Sequence, residues 1–286
     1  MSQVDQFESV FRSAVKDPFR YEAVRIQSVL LATDLETQAA DEFSTKVRKF
    51  LQVIHQEHEI SWNLLTGDDY SSTEDLLASA EQAKPDLICA YRNLHSRAWQ
   101  YPHSLGSQLD VLLQKTTTPV LILPHPRAGY AFEHALQDTN RVLAVTDHLT
   151  EDHRLVNHAV AFTEAKGTLF LTHIEDQQTF DRYLAVISKI STIDTDDARE
   201  RLQHQLLKEP ADYIASCQGK LEEAGIAVRI ESTVEFGKHL AQYKRHIQEH
   251  DVDLLVMNTR DEDQLAMHGL AYPLAVEIRQ IPLLML

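Results

Sequence analysis

Two aspartates each follow a short apolar segment, where a carboxylate could accept hydrogen bonds from a base or a ribose. Asp34 closes the segment VLLATD, and Asp147 closes the segment VLAVTD. Short apolar runs followed by helical patterns predict buried parallel strands, and ligands of such sheets collect where the strands end. Both aspartates are therefore candidate ligand-binding residues. The alternative is that each caps the helix that follows, because Thr-Asp is a common pair at helix starts.

A glycine at the start of a later helix in each half offers a second chemistry, the binding of an anion. Gly106 is followed by Ser107, and Gly269 is followed by Leu270. Glycine lets the backbone approach a phosphate, and the free amides at a helix start hold its charge. Arg92, after the apolar segment DLICAY, adds a positive charge. Arg92, Gly106, Ser107 and Gly269 are therefore candidate ligand-binding residues, with a tight turn before a helix as the alternative role of the glycines.

One pair of histidines has the spacing of a metal chelate. His246 and His250 are four residues apart in a helical pattern, which can bring both imidazoles to one metal. No third ligand accompanies them, so no metal is assigned. The sequence contains no HExxH, no Gly-x-Ser-x-Gly elbow, no P-loop and no Gly-x-Gly-x-x-Gly. We therefore predict no catalytic residues, no firm cofactor and no enzymatic activity.

Composition excludes several classes of partner. The 286 residues are 43% hydrophobic and 24% charged, values near the averages of globular proteins. A net charge of −16 repels the phosphate backbone of nucleic acids and the surface of anionic membranes. The N-terminus has no secretory apolar region, and no apolar run is long enough for a membrane span, so a cytoplasmic location is expected. The two cysteines lie far apart and suggest neither a disulfide framework nor a thiolate metal site.

Matching segments recur in the same order along the chain, which predicts a duplicated domain. The matches are VLLATD (29–34) with VLAVTD (142–147), PDLIC (85–89) with VDLLV (252–256), and TTPVLIL (117–123) with QIPLLML (280–286). The offset is 113 residues for the first match, from 29 to 142, and 167 for the second, from 85 to 252. Because the offset grows between the two matches, the second copy contains about one βα unit that the first copy lacks.

The missing unit gives the first copy four predicted strands and the second copy five. ISWNLLTG at 60–67 matches the strand before Gly237, since both end in glycine and precede a helix that leads into an Asp-Leu strand. The loss would leave apolar sheet surface bare, and residues 5–15, with apolar side chains at helical spacing, are expected to cover it. The extra length of the second copy includes a long helical stretch over 177–224. Such helices beside a sheet could enclose a pocket for a small apolar ligand.

Alternating strands and helices predict a parallel sheet with helices on both faces. A strand ending in Asp, an Asp-Leu-Ile strand, a later Gly-Ser at a helix start and a terminal Pro-Val-Leu-Ile strand together resemble the universal stress protein family. The resemblance covers 25–125 and 140–286. It implies an α/β fold of two tandem doubly wound, Rossmann-like (HUP) parallel-sheet domains, the first lacking one βα unit. The predicted organisation is an N-terminal helical segment (1–24), a truncated first domain (25–125), a linker (126–140) and a second domain (141–286).

The resemblance also implies partners and a function class. Family domains commonly pair through their last strands, so 119–123 and 282–286 are expected to pair within the chain, and a homodimer of the whole chain is also implied. Family members that bind ATP share a G-x-x-G motif followed by G-[ST]. In the first copy, Tyr91 and Leu94 stand in place of the first two glycines, and only Gly106-Ser107 remains.

In the second copy, Asn258 and Asp261 replace the two glycines, and the acidic loop TRDEDQLAMH would repel a triphosphate. We therefore predict a non-enzymatic stress-response protein that acts as a binding or scaffold module. Two alternatives remain open. One is an adenine-nucleotide sensor that holds ATP or AMP, with slow hydrolysis. The other is a protein whose second domain binds a small ligand or a metal.

Overall fold

The computed structural model describes residues 19–55, 59–101, 104–145, 152–259 and 271–286. In the first half, strands alternate with helices as the sequence predicts. The elements there are β1 (Ser28–Ala32), α1 (Thr37–Phe50) with a 3₁₀ turn (Leu51–His55), β2 (Ser61–Leu65), α2 (Thr73–Ala83), β3 (Leu87–Tyr91), a 3₁₀ turn (Ala98–Gln100), α3 (Ser107–Lys115) and β4 (Val120–Leu123).

The second half repeats this alternation and adds two helices in the predicted insert. Its elements are β5 (Arg141–Val145), α4 (His153–Ala161), β6 (Thr168–Asp176), α5 (Gln177–Ile187), α6 (Thr195–Glu223), β7 (Arg229–Gly237), α7 (His239–Glu249), β8 (Leu254–Met257), α8 (Ala271–Glu277) and β9 (Leu283–Met285). Within the described residues, four strands thus precede the linker and five follow it.

All nine of these strands belong to one sheet, in the order β2-β1-β3-β4-β9-β8-β5-β6-β7. Neighbouring strands are parallel throughout each half. The halves meet where β4 and β9 pair in antiparallel fashion, with Leu121 opposite Leu284. The segments 119–123 and 282–286 therefore contribute the strands that join the two halves. Because that pairing is antiparallel, the strands of the first half end at the edge of the sheet where those of the second half begin.

The two halves share a strand order apart from one outer strand. β1, β3 and β4 hold the places that β5, β8 and β9 hold in the second half. β2 pairs directly with β1, which is the place of β6 rather than of β7. The sequence match of 60–67 with the strand before Gly237 therefore does not carry over to position in the sheet. The first half ends one strand earlier, with β2 as a half-exposed edge.

Buried strands and helix starts explain why the chain takes this form. β3, β4, β8 and β9 are buried at every residue, as expected for parallel strands covered on both faces. Helix α2 begins with a capping box, in which Ser72 accepts from the amide of Asp75 and Asp75 accepts from that of Ser72. These local signals set where the connecting loops, and the side chains on them, lie along the sheet edges.

The N-terminal segment differs in part from its prediction. Residues 5–15, which were expected to cover the first half, lie outside the described residues. Residues 19–24, the described end of the predicted helical segment 1–24, form no helix. Phe19 is instead buried in the second half, with its ring 6.3 Å from that of Tyr213 in α6. The chain then crosses to the first half and enters β1.

The long helix α6 is buried over only part of its length. Tyr213, Ile214, Cys217 and Leu221 pack toward β6 and β7, whereas almost all of the helix before Pro210 is exposed or half-buried. Among the described residues, no helix is both long enough and apolar enough to cross a membrane.

Candidate functional site

The candidate site of the first half lies at the carboxyl ends of β1 and β3. The strand order changes direction between these two neighbours, which makes this edge the expected ligand position in a doubly wound sheet. Asp34 lies there, two residues beyond the end of β1, as the sequence predicts. It does not cap α1, because the residue at that position is Glu36, which makes no capping hydrogen bond through its side chain.

Both carboxylate oxygens of Asp34 are occupied by groups of the chain itself. The hydroxyl of Tyr91, the last residue of β3, donates a short hydrogen bond to Oδ1. The backbone amide of His95 donates to Oδ2 at 3.0 Å. The backbone amide of Asp34 in turn donates to the Tyr91 hydroxyl at 3.0 Å. Tyr91 and the loop after β3 therefore each donate one hydrogen bond to this carboxylate.

An aromatic cluster surrounds this carboxylate. The rings of Tyr70 and His95 lie 4.8 Å apart, as do those of Tyr91 and His125 and those of Trp99 and His125. Burial lowers the pKa of His125 to about 4, and it raises the pKa of the Tyr70 and Tyr91 hydroxyls well above their ordinary value. These three groups are therefore uncharged at neutral pH. His125 therefore offers no positive charge to a phosphate.

The arginine predicted for this site points elsewhere. Arg92 is only 2% exposed, and its Nε donates to the carbonyl of Ala275 at 3.2 Å while Nη2 donates to that of Ile278 at 2.5 Å. Both carbonyls lie at the C-terminal end of α8, in the other half of the chain. Burial lowers the pKa of Arg92 to about 10, which still leaves it charged at neutral pH. The expected anion-binding role does not fit, because the guanidinium is enclosed between the two halves.

Gly106 lies at the start of α3 and is required there by the backbone. Its φ of 90° and ψ of 150° belong to a region that only glycine adopts readily. A Cβ at this position would lie 2.7 Å from the Cα of Asn93, in the loop after β3. Ser107 follows as the first helical residue, and its hydroxyl lies 3.2 Å from Oε1 of Gln108. Close packing of two loops therefore accounts for this glycine, which is the tight-turn role.

The candidate site of the second half is described in part. Asp147 and Gly269 lie outside the described residues, so their predicted roles stay predictions. The sequence reasoning missed Asp152, which caps α4 by accepting from the amide of Leu155 at 3.0 Å and also accepts from Nδ2 of Asn258 at 2.6 Å. Burial raises its pKa. The signal was present, because an Asp directly before an apolar helical pattern is typical of a helix start.

A cleft of about 280 Å³ lies between the two halves, at the edge where β1, β3 and β4 begin. It is lined by backbone and side chains from both halves, namely Val24, Arg25, Ile26, Pro85, Asp86, Thr117, Thr118, Pro119, Arg154 and His158. The two arginines carry positive charge, while the Asp86 carboxylate accepts from the amides of Gln27 and Ser28 at 2.9 and 3.0 Å. The cleft therefore presents two cations in a strongly acidic chain.

The predicted histidine pair lies on α7. The rings of His246 and His250 are stacked, with centroids 5.8 Å apart and planes 7° apart. Glu249 lies on the same helix, near both rings. Both cysteines are buried, and burial raises the pKa of each thiol, that of Cys217 to about 12, so neither is an activated nucleophile.

The fold and this edge geometry define a doubly wound α/β protein in which, in the first half, the aspartate at the switch point is hydrogen-bonded to Tyr91 and to the amide of His95. The sequence pattern of the universal stress protein family matches residues 139–269. The chain therefore carries a domain of the universal stress protein family.

Two solved structures align with about nine tenths of the chain. One is a protein of unknown function from Pseudomonas aeruginosa PAO1, which is 15% identical, with 91% of this chain and 92% of that chain covered and a TM-score of 0.49. The other is a universal stress protein from Archaeoglobus fulgidus DSM 4304, also 15% identical, with 90% and 95% covered and a TM-score of 0.48. A search of curated proteins finds no significant match.

Proposed function

We propose that this chain is a tandem universal stress protein that works as a non-enzymatic binding or scaffold module in the cytoplasm. Membership of the family supports a stress-response role. We also propose that the first half does not bind a nucleotide. The observation that supports this is that both carboxylate oxygens of Asp34 already accept hydrogen bonds within the chain. A nucleotide that used this carboxylate would have to share it with Tyr91 and with the amide of His95. It would then gain no help from Arg92, which is enclosed between the halves.

An exposed apolar surface on the insert supplies a place for a protein partner. Of the seven most exposed large apolar side chains among the described residues, five lie on α5, on α6 or between them. These five, which we call the insert surface, are Tyr183, Val186, Ile190, Ile193 and Leu202, with exposed fractions of 37% to 56%. We infer that these five side chains lie close enough to form one patch. Exposed apolar patches mark interaction sites, whereas single exposed apolar residues do not. The insert surface therefore supports binding of a partner by the second half.

A second candidate function, binding of an adenine nucleotide or another phosphorylated ligand, is favoured by the cleft between the halves. Arg25 and Arg154 approach it from opposite halves of the chain. Arginine is well suited to phosphate because its guanidinium donates two parallel hydrogen bonds to a pair of oxygens. In this version the ligand would bridge the halves instead of entering the first crevice.

Calorimetric titration of the purified full chain with ATP and with AMP separates these functions. We expect no saturable heat at millimolar nucleotide and no nucleotide in the extract released by heating. Nucleotide binding that is lost in Asp34→Asn would overturn the proposal, because the first crevice would then be in use. Binding that survives Asp34→Asn but is lost in Arg25→Gln/Arg154→Gln would instead establish the second candidate.

The partner surface is tested by photo-crosslinking from a single site. A photoreactive amino acid replaces Val186 on the insert surface, and the matched control replaces Lys46, an exposed residue of α1 on the other half. We expect protein adducts from position 186 in stressed cells that position 46 does not form. The same set of adducts from both positions would contradict a specific surface.

A further inference from the structure

The imidazoles of His246 and His250 present a chelating pair on one face of α7. They are one helical turn apart, and their planes are nearly parallel. His250 also stacks on Phe170 of β6, with centroids 4.5 Å apart, which restrains the orientation of its ring. Two histidines at this spacing can bind one transition metal without any change of the backbone. The stacked arrangement thus orders the pair in advance.

Two carboxylates complete a donor set around this pair. One ligand atom each from His246, Glu249 and His250 lie within 4.8 Å of one another. Oε1 of Glu235, from the edge strand β7, lies 3.4 Å from Nε2 of His246. Ligand atoms in a tetrahedral zinc site are about 3.4 Å apart, since each bond is about 2.0–2.1 Å long. Side-chain rotations that move the donor atoms by up to about 1.4 Å therefore bring them from within 4.8 Å of one another to the separations of a metal site.

Arg245 now pairs with both carboxylates and balances one of their two negative charges. Its Nη2 is 2.8 Å from Oε1 of Glu235, and its Nε is 3.7 Å from Oε2 of Glu249. The arginine is 45% exposed, so it can turn into solvent without leaving a buried charge. A divalent cation would then replace its single charge between the same carboxylates, which the net charge of −16 also favours.

The donor types decide the class of metal. Two imidazoles with carboxylate oxygens suit zinc and its transition-metal neighbours, whereas magnesium and calcium take oxygen ligands. We propose that His246, His250 and Glu249, with Glu235 beside them, form a binding site for a divalent transition metal such as zinc. Through Glu235, the bound metal fastens α7 to β7, the outermost strand of the second half. The site includes none of the predicted ligand-binding residues of either half and does not depend on the proposed function.

Zinc titration of the full chain, purified without a histidine tag, tests this site. We expect one zinc ion per chain by calorimetry and a higher melting temperature in zinc than after chelation, because the metal binds the folded state. His250→Gln should weaken zinc binding by at least the roughly 10–100-fold that loss of even an outer-shell partner produces. His204→Gln, an exposed histidine of α6, is the matched control and should bind zinc like the wild type. Magnesium chloride should give no saturable heat.

Equal zinc affinity in the wild type and in His250→Gln would overturn the proposal, as would the absence of a saturable zinc site. The melting temperature of each metal-free variant shows whether it folds. If His250→Gln does not fold, zinc X-ray absorption of the wild-type complex decides the question. We expect two imidazole nitrogens, oxygen ligands and no sulfur in the first shell, and a shell without imidazole would refute the site.

Discussion

Replacement of Arg92 by methionine removes the charged contact that joins β3 to α8 across the two halves. The carbonyls of Ala275 and Ile278 lose their donor in a region from which water is excluded. A hydrogen bond from a charged group contributes about 1.5–3 kcal/mol, so the two acceptors together account for about 3–6 kcal/mol. The lost interaction with the negative end of the α8 dipole acts in the same direction.

The desolvation of a buried guanidinium opposes part of this loss, because methionine does not carry that penalty. We therefore expect Arg92→Met to lower the free energy of unfolding by about 2–4 kcal/mol. In a chain of this length that corresponds to a melting temperature about 3–7 °C lower. The melting temperature of Arg92→Lys should lie between those of the wild type and Arg92→Met, since lysine keeps the charge but lacks the forked geometry that reaches both carbonyls.

Differential scanning calorimetry measures these changes, with Arg97→Met, an exposed arginine of the following loop, as the matched control. The control should melt within about 1 °C of the wild type. If Arg92→Met also melts within that range, the side chain does not stabilise the junction of the halves. If it instead weakens phosphate binding while its stability stays the same, Arg92 is a ligand-binding residue, as its place in the sequence indicated.

Three further changes test other parts of the structure. Tyr91→Phe removes the donor to Asp34 and should cost about 1–3 kcal/mol in urea denaturation, and an unchanged midpoint would contradict the occupied crevice. Gly106→Ala should cost at least about 1–3 kcal/mol through its φ of 90° and its approach to Asn93, so a thermally neutral variant would show that the loop is not tightly packed. Burial raises the pKa of Asp253 to about 6, so the wild type loses stability as pH rises from about 4 through 6. Asp253→Asn should therefore gain up to about 3 kcal/mol on the wild type between pH 4 and 7 by urea titration, and a difference independent of pH would refute this.

The alternation of strands and helices and the use of 119–123 and 282–286 as strands could be predicted, because each depends on short apolar segments and on their order. The position of β2 in the sheet could not be predicted. The sequence match of 60–67 with the strand before Gly237 indicates that the segment is a strand, but it does not indicate which strand lies beside it. Pairing of β2 with β1 became accessible when the intervening unit was absent.

The orientation of side chains was the least predictable property of the candidate site. Asp34 was placed correctly at the strand end, but no motif indicated that Tyr91, 57 residues further on, would bind it. Arg92 is the very next residue but lies beyond the end of β3, and its side chain reaches two carbonyls of the other half. The alternation of side chains between the two faces of a strand ends with the strand, and an exact strand end is among the least certain features of a sequence prediction.

The antiparallel pairing of β4 with β9 has a consequence for how this chain can assemble. Two separate proteins that met through these strands would come apart on dilution, whereas a short covalent connection gives the partners an effective concentration of about a millimolar or more. The junction therefore persists at any cellular abundance, and the two halves are always present one to one. The two halves of such a pair need not be related by symmetry. The first half can therefore differ from the second at its ligand edge, while the second half carries the insert surface. Within the described sheet, another chain could extend the sheet only by pairing with one of its two outer strands, β2 or β7.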